Sequence, residues 1–124
     1  MTAKTKRPTL DQQRAAHAWK AAEHADKRFG EQAKKLGPRI LTAGLGPAVQ
    51  FMIAKEEALE LVKTLEGWLL EEGPTKLAPR PASLMYDIVN GGSDRLRWVT
   101  AESLAYLAWL TRFCEARGLT GDET

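Results

Sequence analysis

Thr100-Ala-Glu-Ser-Leu-Ala-Tyr-Leu-Ala-Trp-Leu-Thr-Arg-Phe-Cys114 decides the fold. At 100° per residue, Leu104, Leu107, Leu110 and Cys114 form one stripe, and Tyr106, Trp109 and Phe113 form a second about a third of a turn away. That spacing predicts an amphipathic helix, with Thr100 as its N-cap. The two stripes predict core or a protein interface, because rings at helical spacing on an already apolar helix bury more often than they stack bases.

Working outward, no segment alternates as a half-buried strand must, and no repeat appears. Thr9 followed by Gln12 is a capping box, and helical spacing runs from Leu10 to about Lys35. Ala15, Ala18, Trp19, Ala22, Ala25, Phe29, Ala33 and Leu36 share its predicted core stripe. Gly37-Pro38 predicts a stop and a short helix through Ala43, which Gly44-Leu-Gly46-Pro47 then ends, with Pro47 suited to the first turn of the next helix. That next helix is expected from Ala48 to about Glu72, with Glu56, Glu57, Glu60 and Glu71 outward. Three prolines between Gly73 and Pro81 mark a loop, and Ala82–Val89 a short helix closed by Asn90-Gly-Gly. The expected architecture is all-α, one compact domain of about five to six helices over 1–124, with flexible tails at 1–8 and 119–124.

Composition bounds the function. A chain of 124 residues buries roughly two thirds of its unfolded surface in one domain. With one cysteine, Cys114, no internal disulfide forms and ordinary packing must hold the core, as expected of a cytoplasmic protein. No run of about 18 apolar residues crosses a membrane, and the N-terminus lacks an apolar export region. Charge is unevenly spread: residues 1–55 hold eleven Lys/Arg against four Asp/Glu, net +7, whereas residues 56–75 hold one against six, net −5. One face thus suits a polyanion and another a basic partner.

No residue set supports catalysis, a metal or a cofactor. His17, His24 and Glu31 stand seven apart, a rise of about 10.5 Å per step that no shared ion spans, so a solvated face is expected. Cys114 has no histidine in its half of the chain to activate it and reads as a buried thiol. Gly44-Leu-Gly46 lacks the Gly-Lys-Ser/Thr ending of a phosphate loop. Glu56, Glu57 and Glu60 lack the partners that a divalent ion or acid–base chemistry requires.

Basic residues carry more information. On a continuous helix Lys20, Lys27 and Lys34 line up over about 21 Å, flanked by Arg28 and Lys35. Such a row can follow a phosphate backbone without reading bases, although Glu31 can equally pair with Lys27 or Lys35 as helix support. Together with Arg39, these are the candidate RNA-binding residues.

Ala33-Lys-Lys-Leu36, Pro38-x-Ile40, Gly44-Leu-Gly46-x-Ala48-x-x-Phe51, Leu65-x-x-Trp68-Leu69 and Arg97-x-x-Thr100-x-Glu102-x-Leu104-x-x-Leu107-x-Trp109-Leu110-x-Arg112-Phe113 occur in this order. Over most of residues 10–117 the set resembles the small subunit of the type III-B CRISPR effector, the Cmr complex. Gly37 and Pro47 depart from the family's usual residues. The resemblance implies a non-catalytic helical subunit in antiviral defence. It implies stacking with neighbouring copies in a minor filament, beside the backbone and large subunits, and contact with crRNA and target RNA. A protein-only adaptor that joins subunits through its split charge is the competing expectation.

Overall fold

In a computed structural model that describes residues 7–121, apart from the side chain of Glu57, the protein is an all-α bundle. Of the tails expected at 1–8 and 119–124, residues 1–6 and 122–124 lie outside the described residues.

Helix α1 spans Leu10–Glu23. Its capping box forms as expected, with the Gln12 N–H donating to Thr9 Oγ1 at 3.0 Å and the Thr9 N–H to Gln12 Oε1 at 2.8 Å. The helix expected to continue to Lys35 instead breaks at His24. Asp26 then caps a second helix, α2 (Lys27–Ala43), by accepting from the Phe29 N–H at 2.8 Å.

Helix α2 also runs through Gly37-Pro38, where a stop was expected. Pro38 is exposed, so its ring and missing donor face solvent, and the Thr42 hydroxyl donates to its carbonyl at 3.0 Å. The true stop is Gly44, at φ 94°, whose N–H reaches the Ile40 carbonyl at 2.8 Å.

The long helix expected over Ala48–Glu72 is divided. Helix α3 (Leu45–Ala54) carries Pro47 in its first turn and ends at Lys55, which is extended at φ −100° and ψ 114°. A single 3₁₀ turn, Glu56–Ala58, leads to α4 (Leu59–Glu66), which closes in a π-helical turn over Gly67–Glu72. Both α3 and α4 pack on α2. The bend buries Ala58 completely along with Leu61 and Leu65, so packing overrides a continuous helical pattern.

After the expected loop, Ser83 caps α5 (Leu84–Asn90). Helix α6 runs from Ser93 to Ala116 and starts well before the expected cap at Thr100, whose hydroxyl bonds the Leu96 carbonyl in mid-helix. The Arg95 guanidinium grips buried Asp87 and ties α6 to α5.

Helix α6 packs against both α1 and α2. Ala18, Ala22 and Ala33 are essentially fully buried, and their small size lets the backbones approach. The Thr111 hydroxyl reaches the Ala33 carbonyl at 3.3 Å. Close approach is tightest at Gly30, where a Cβ would lie 2.0 Å from the Leu119 carbonyl oxygen. Leu119, in the segment expected to be flexible, packs against the core with its N–H on the Cys114 carbonyl at 2.9 Å.

Candidate nucleic-acid interface

The break at His24–Asp26 changes the basic row. Lys20 closes α1 and Lys27 opens α2, so Lys20, Lys27 and Lys34 share no continuous helix. Lys20 instead flanks a cleft of about 530 Å³ beside His17, His24, Lys63 and Glu72. Arg28 lines a different cleft, of about 520 Å³, with Glu56, Glu60 and Lys63. The expected separation into a basic and an acidic face therefore fails at Arg28. Glu56 and Glu60 are exposed as expected, and Glu71 is exposed but bound to the Arg80 guanidinium at 2.7 Å.

Three candidates do come together. Lys34, Lys35 and Arg39 line a groove of about 1030 Å³ formed by α2, α3 and Thr120–Gly121. Its apolar wall includes Pro38, Pro47 and Phe51. The Arg39 guanidinium lies over the Phe51 ring at 4.1 Å, and the Lys55 ammonium stands 5.0 Å from the same centroid. One guanidinium nitrogen, Arg39 Nη1, is buried without a hydrogen-bond partner among the described residues.

Phe51 was missed as a functional candidate. The signal was present, because it falls outside the core stripe and has Lys55 one turn on, and in the structure it is 43% exposed.

The aromatic stripe of α6 divides. Tyr106 is fully buried, stacks on Trp68 at 5.7 Å and meets His17 Nδ1 through its hydroxyl at 2.6 Å. Burial holds its phenol well above the ordinary range. Trp109 is half-buried and donates to Asp11 at 3.0 Å, and this bond together with Arg14 holds the Asp11 carboxyl below its ordinary value. Phe113 meets Trp19 edge to face at 5.1 Å. Trp19, expected in the core, is 54% exposed although Phe113 of α6 packs on it.

His17 is not on the expected solvated face. It packs against both Trp68 and Tyr106, with Nε2 3.4 Å from Glu72. Burial lowers its pKa, against the opposing pull of Glu72. His24 lines a cleft with His17 whereas Glu31 lines the α2–α3 groove, and among the described residues no three His, Cys, Asp or Glu side chains are placed to share an ion. Cys114 is buried as expected, and that burial pushes its thiol pKa up.

Buried Glu102 accepts from Arg14 and, at 2.8 Å, from the Trp68 indole. Its hydrogen bonds join α1, α6 and the π-helical turn, so it serves the fold.

No protein with a curated description matches the chain. A family model described as CRISPR-associated protein (Cas_Cmr5) matches residues 10–117, which takes in every described helix and the helical walls of the groove but not Thr120–Gly121. The order of sequence blocks, the all-α bundle and this match agree: the chain belongs to the Cas_Cmr5 family, the small subunit of the type III-B Cmr effector.

Proposed function

We propose that the protein is a non-catalytic architectural subunit of an RNA-guided Cmr effector in antiviral defence. It stacks with neighbouring copies in the minor filament, beside the backbone and large subunits, and touches guide–target RNA through basic side chains. The observation that carries this reading is the convergence of Lys34, Lys35 and Arg39 on one accessible groove. Rigid helices presenting cations suit backbone contact when base pairing supplies the sequence information. Lys27 extends the α2 surface, while Lys20 and Arg28 supply separate contacts from their own clefts. No described helix is long and apolar enough to cross a membrane, which is compatible with a cytoplasmic effector.

Exposed Tyr86 and Val89 on α5 and Trp98 on α6 favour protein contacts as well. They support stacking, and they equally suit a subunit that joins proteins without touching RNA.

The test is RNA association by the assembled complex carrying Lys27→Glu, Lys35→Glu and Arg39→Glu. Each lost phosphate contact should flatten the slope of log affinity against log salt by about 0.7–0.9. An unchanged slope rejects RNA contact by this face.

A further inference from the structure

We infer that the groove between α2 and α3 is a pocket for one unpaired ribonucleotide, its base against the Phe51–Arg39 pair and its phosphate toward Lys35. This deepens, and rests on, the reading that the subunit contacts RNA. At about 1030 Å³ the groove matches the upper end of small-molecule sites, which span about 300–1,000 Å³. A site that only tracks a backbone needs cations on a convex surface. This one is concave and largely apolar.

Its chemistry selects among anionic ligands. Phe51 and Arg39 present a stacked ring and guanidinium, and unpaired bases stack on both kinds of plane. Among the described residues Arg39 Nη1 is a buried donor lacking an acceptor, so a ligand oxygen or base nitrogen that drew the guanidinium toward the groove would give it one. Glu31 lines the same groove. Its carboxylate accepts from sugar hydroxyls or an exocyclic amine, and a 2′-hydroxyl offers one donor that deoxyribose lacks. An acidic peptide has the charge but no flat face, and it would meet Glu31 as a like charge. A flat, anionic ligand bearing donors is therefore favoured, and a nucleotide is one.

The experiment is a two-dimensional amide NMR titration of the full chain with adenosine 5′-monophosphate. The same titration follows with its 2′-deoxy counterpart and with a tetraglutamate peptide. Saturable shifts should map to both walls of the groove, with tighter binding of the ribonucleotide than of either competitor. Phe51→Leu keeps apolar bulk but removes the ring, and should weaken binding about tenfold, the worth of one base stack. Arg39→Gln, with helicity checked by circular dichroism, should weaken it as well. The pocket is overturned by shifts scattered outside the groove, by equal binding of the peptide, or by undiminished binding in Phe51→Leu. If the pocket fails while the charge-reversed complex still loses salt slope, RNA contact stands and the base pocket alone falls.

Discussion

Arg14 and Glu102, 88 residues apart, are joined by a pair of hydrogen bonds, from Nε to Oε2 at 2.6 Å and from Nη2 to Oε1 at 2.8 Å. Glu102 is only 3% exposed, and these donors together with the Trp68 indole satisfy its oxygens in the interior. The same pairing holds the Arg14 guanidinium above its ordinary pKa.

Removing one partner of this pair strands the other. Arg14→Ala should cost about 3–5 kcal/mol in urea unfolding, whereas the double variant Arg14→Met/Glu102→Leu should recover much of that loss. A double variant as unstable as the single one would show that the charges themselves are needed.

Trp68 and Trp109 should respond differently to truncation. Trp68 is 2% exposed and gives its indole N–H to Glu102, so Trp68→Ala should cost about 3–5 kcal/mol or prevent folding. Half-buried Trp109, bonded to an exposed carboxylate, should cost about 1–2 kcal/mol. Equal losses would place Trp109 in the core after all.

Acid should weaken the fold through His17. Its folded pKa is depressed by burial below the ordinary 6.5. As pH falls beneath that value the unfolded chain takes up a proton that the folded one resists. This contribution to stability is therefore complete above about pH 6.5 and is lost on acidification below it. Thermal melts at about pH 7.5 and 5.5 should show a smaller fall for His17→Gln than for the unaltered chain.

Gly30→Ala sets two effects against each other. Alanine favours the helix by about 1 kcal/mol, but its Cβ would meet the Leu119 carbonyl at 2.0 Å, and backbone cannot give way cheaply. The melting temperature should therefore fall. In a chain ending at Arg117 the obstruction is gone, and the same substitution should raise it.

How much of this could be read in advance depended on where the information lay. The leucine stripe of α6 and the Thr9–Gln12 box are local, and they form as read, whereas the aromatic stripe divides because only Tyr106 meets the core from every side. The breaks at His24 and Lys55 answer to packing: neither carries glycine or proline, and the periodicity passes through both. Asp26 is of a residue type that caps helices, but the unbroken pattern around it gives no cue to a break there. Pro38 looked like a terminus because spacing cannot tell that its ring faces solvent. For the site, Lys34, Lys35 and Arg39 were named from charge alone. The groove they line depends on α3 folding back and on the chain returning at Thr120, which no short-range pattern encodes.

The packing of α6 against α1 sets a timetable for synthesis. About 90 residues separate the end of α1 from the end of α6, so at roughly 5–20 residues per second the first helix waits about 5–20 s for its partner. Until then the alanine face around Ala18 and Ala22 lacks α6, its main packing partner. A ribosome stalled within the Gly73–Pro81 loop would carry an N-terminal half that cannot complete its core, whatever the intrinsic stability of the finished protein.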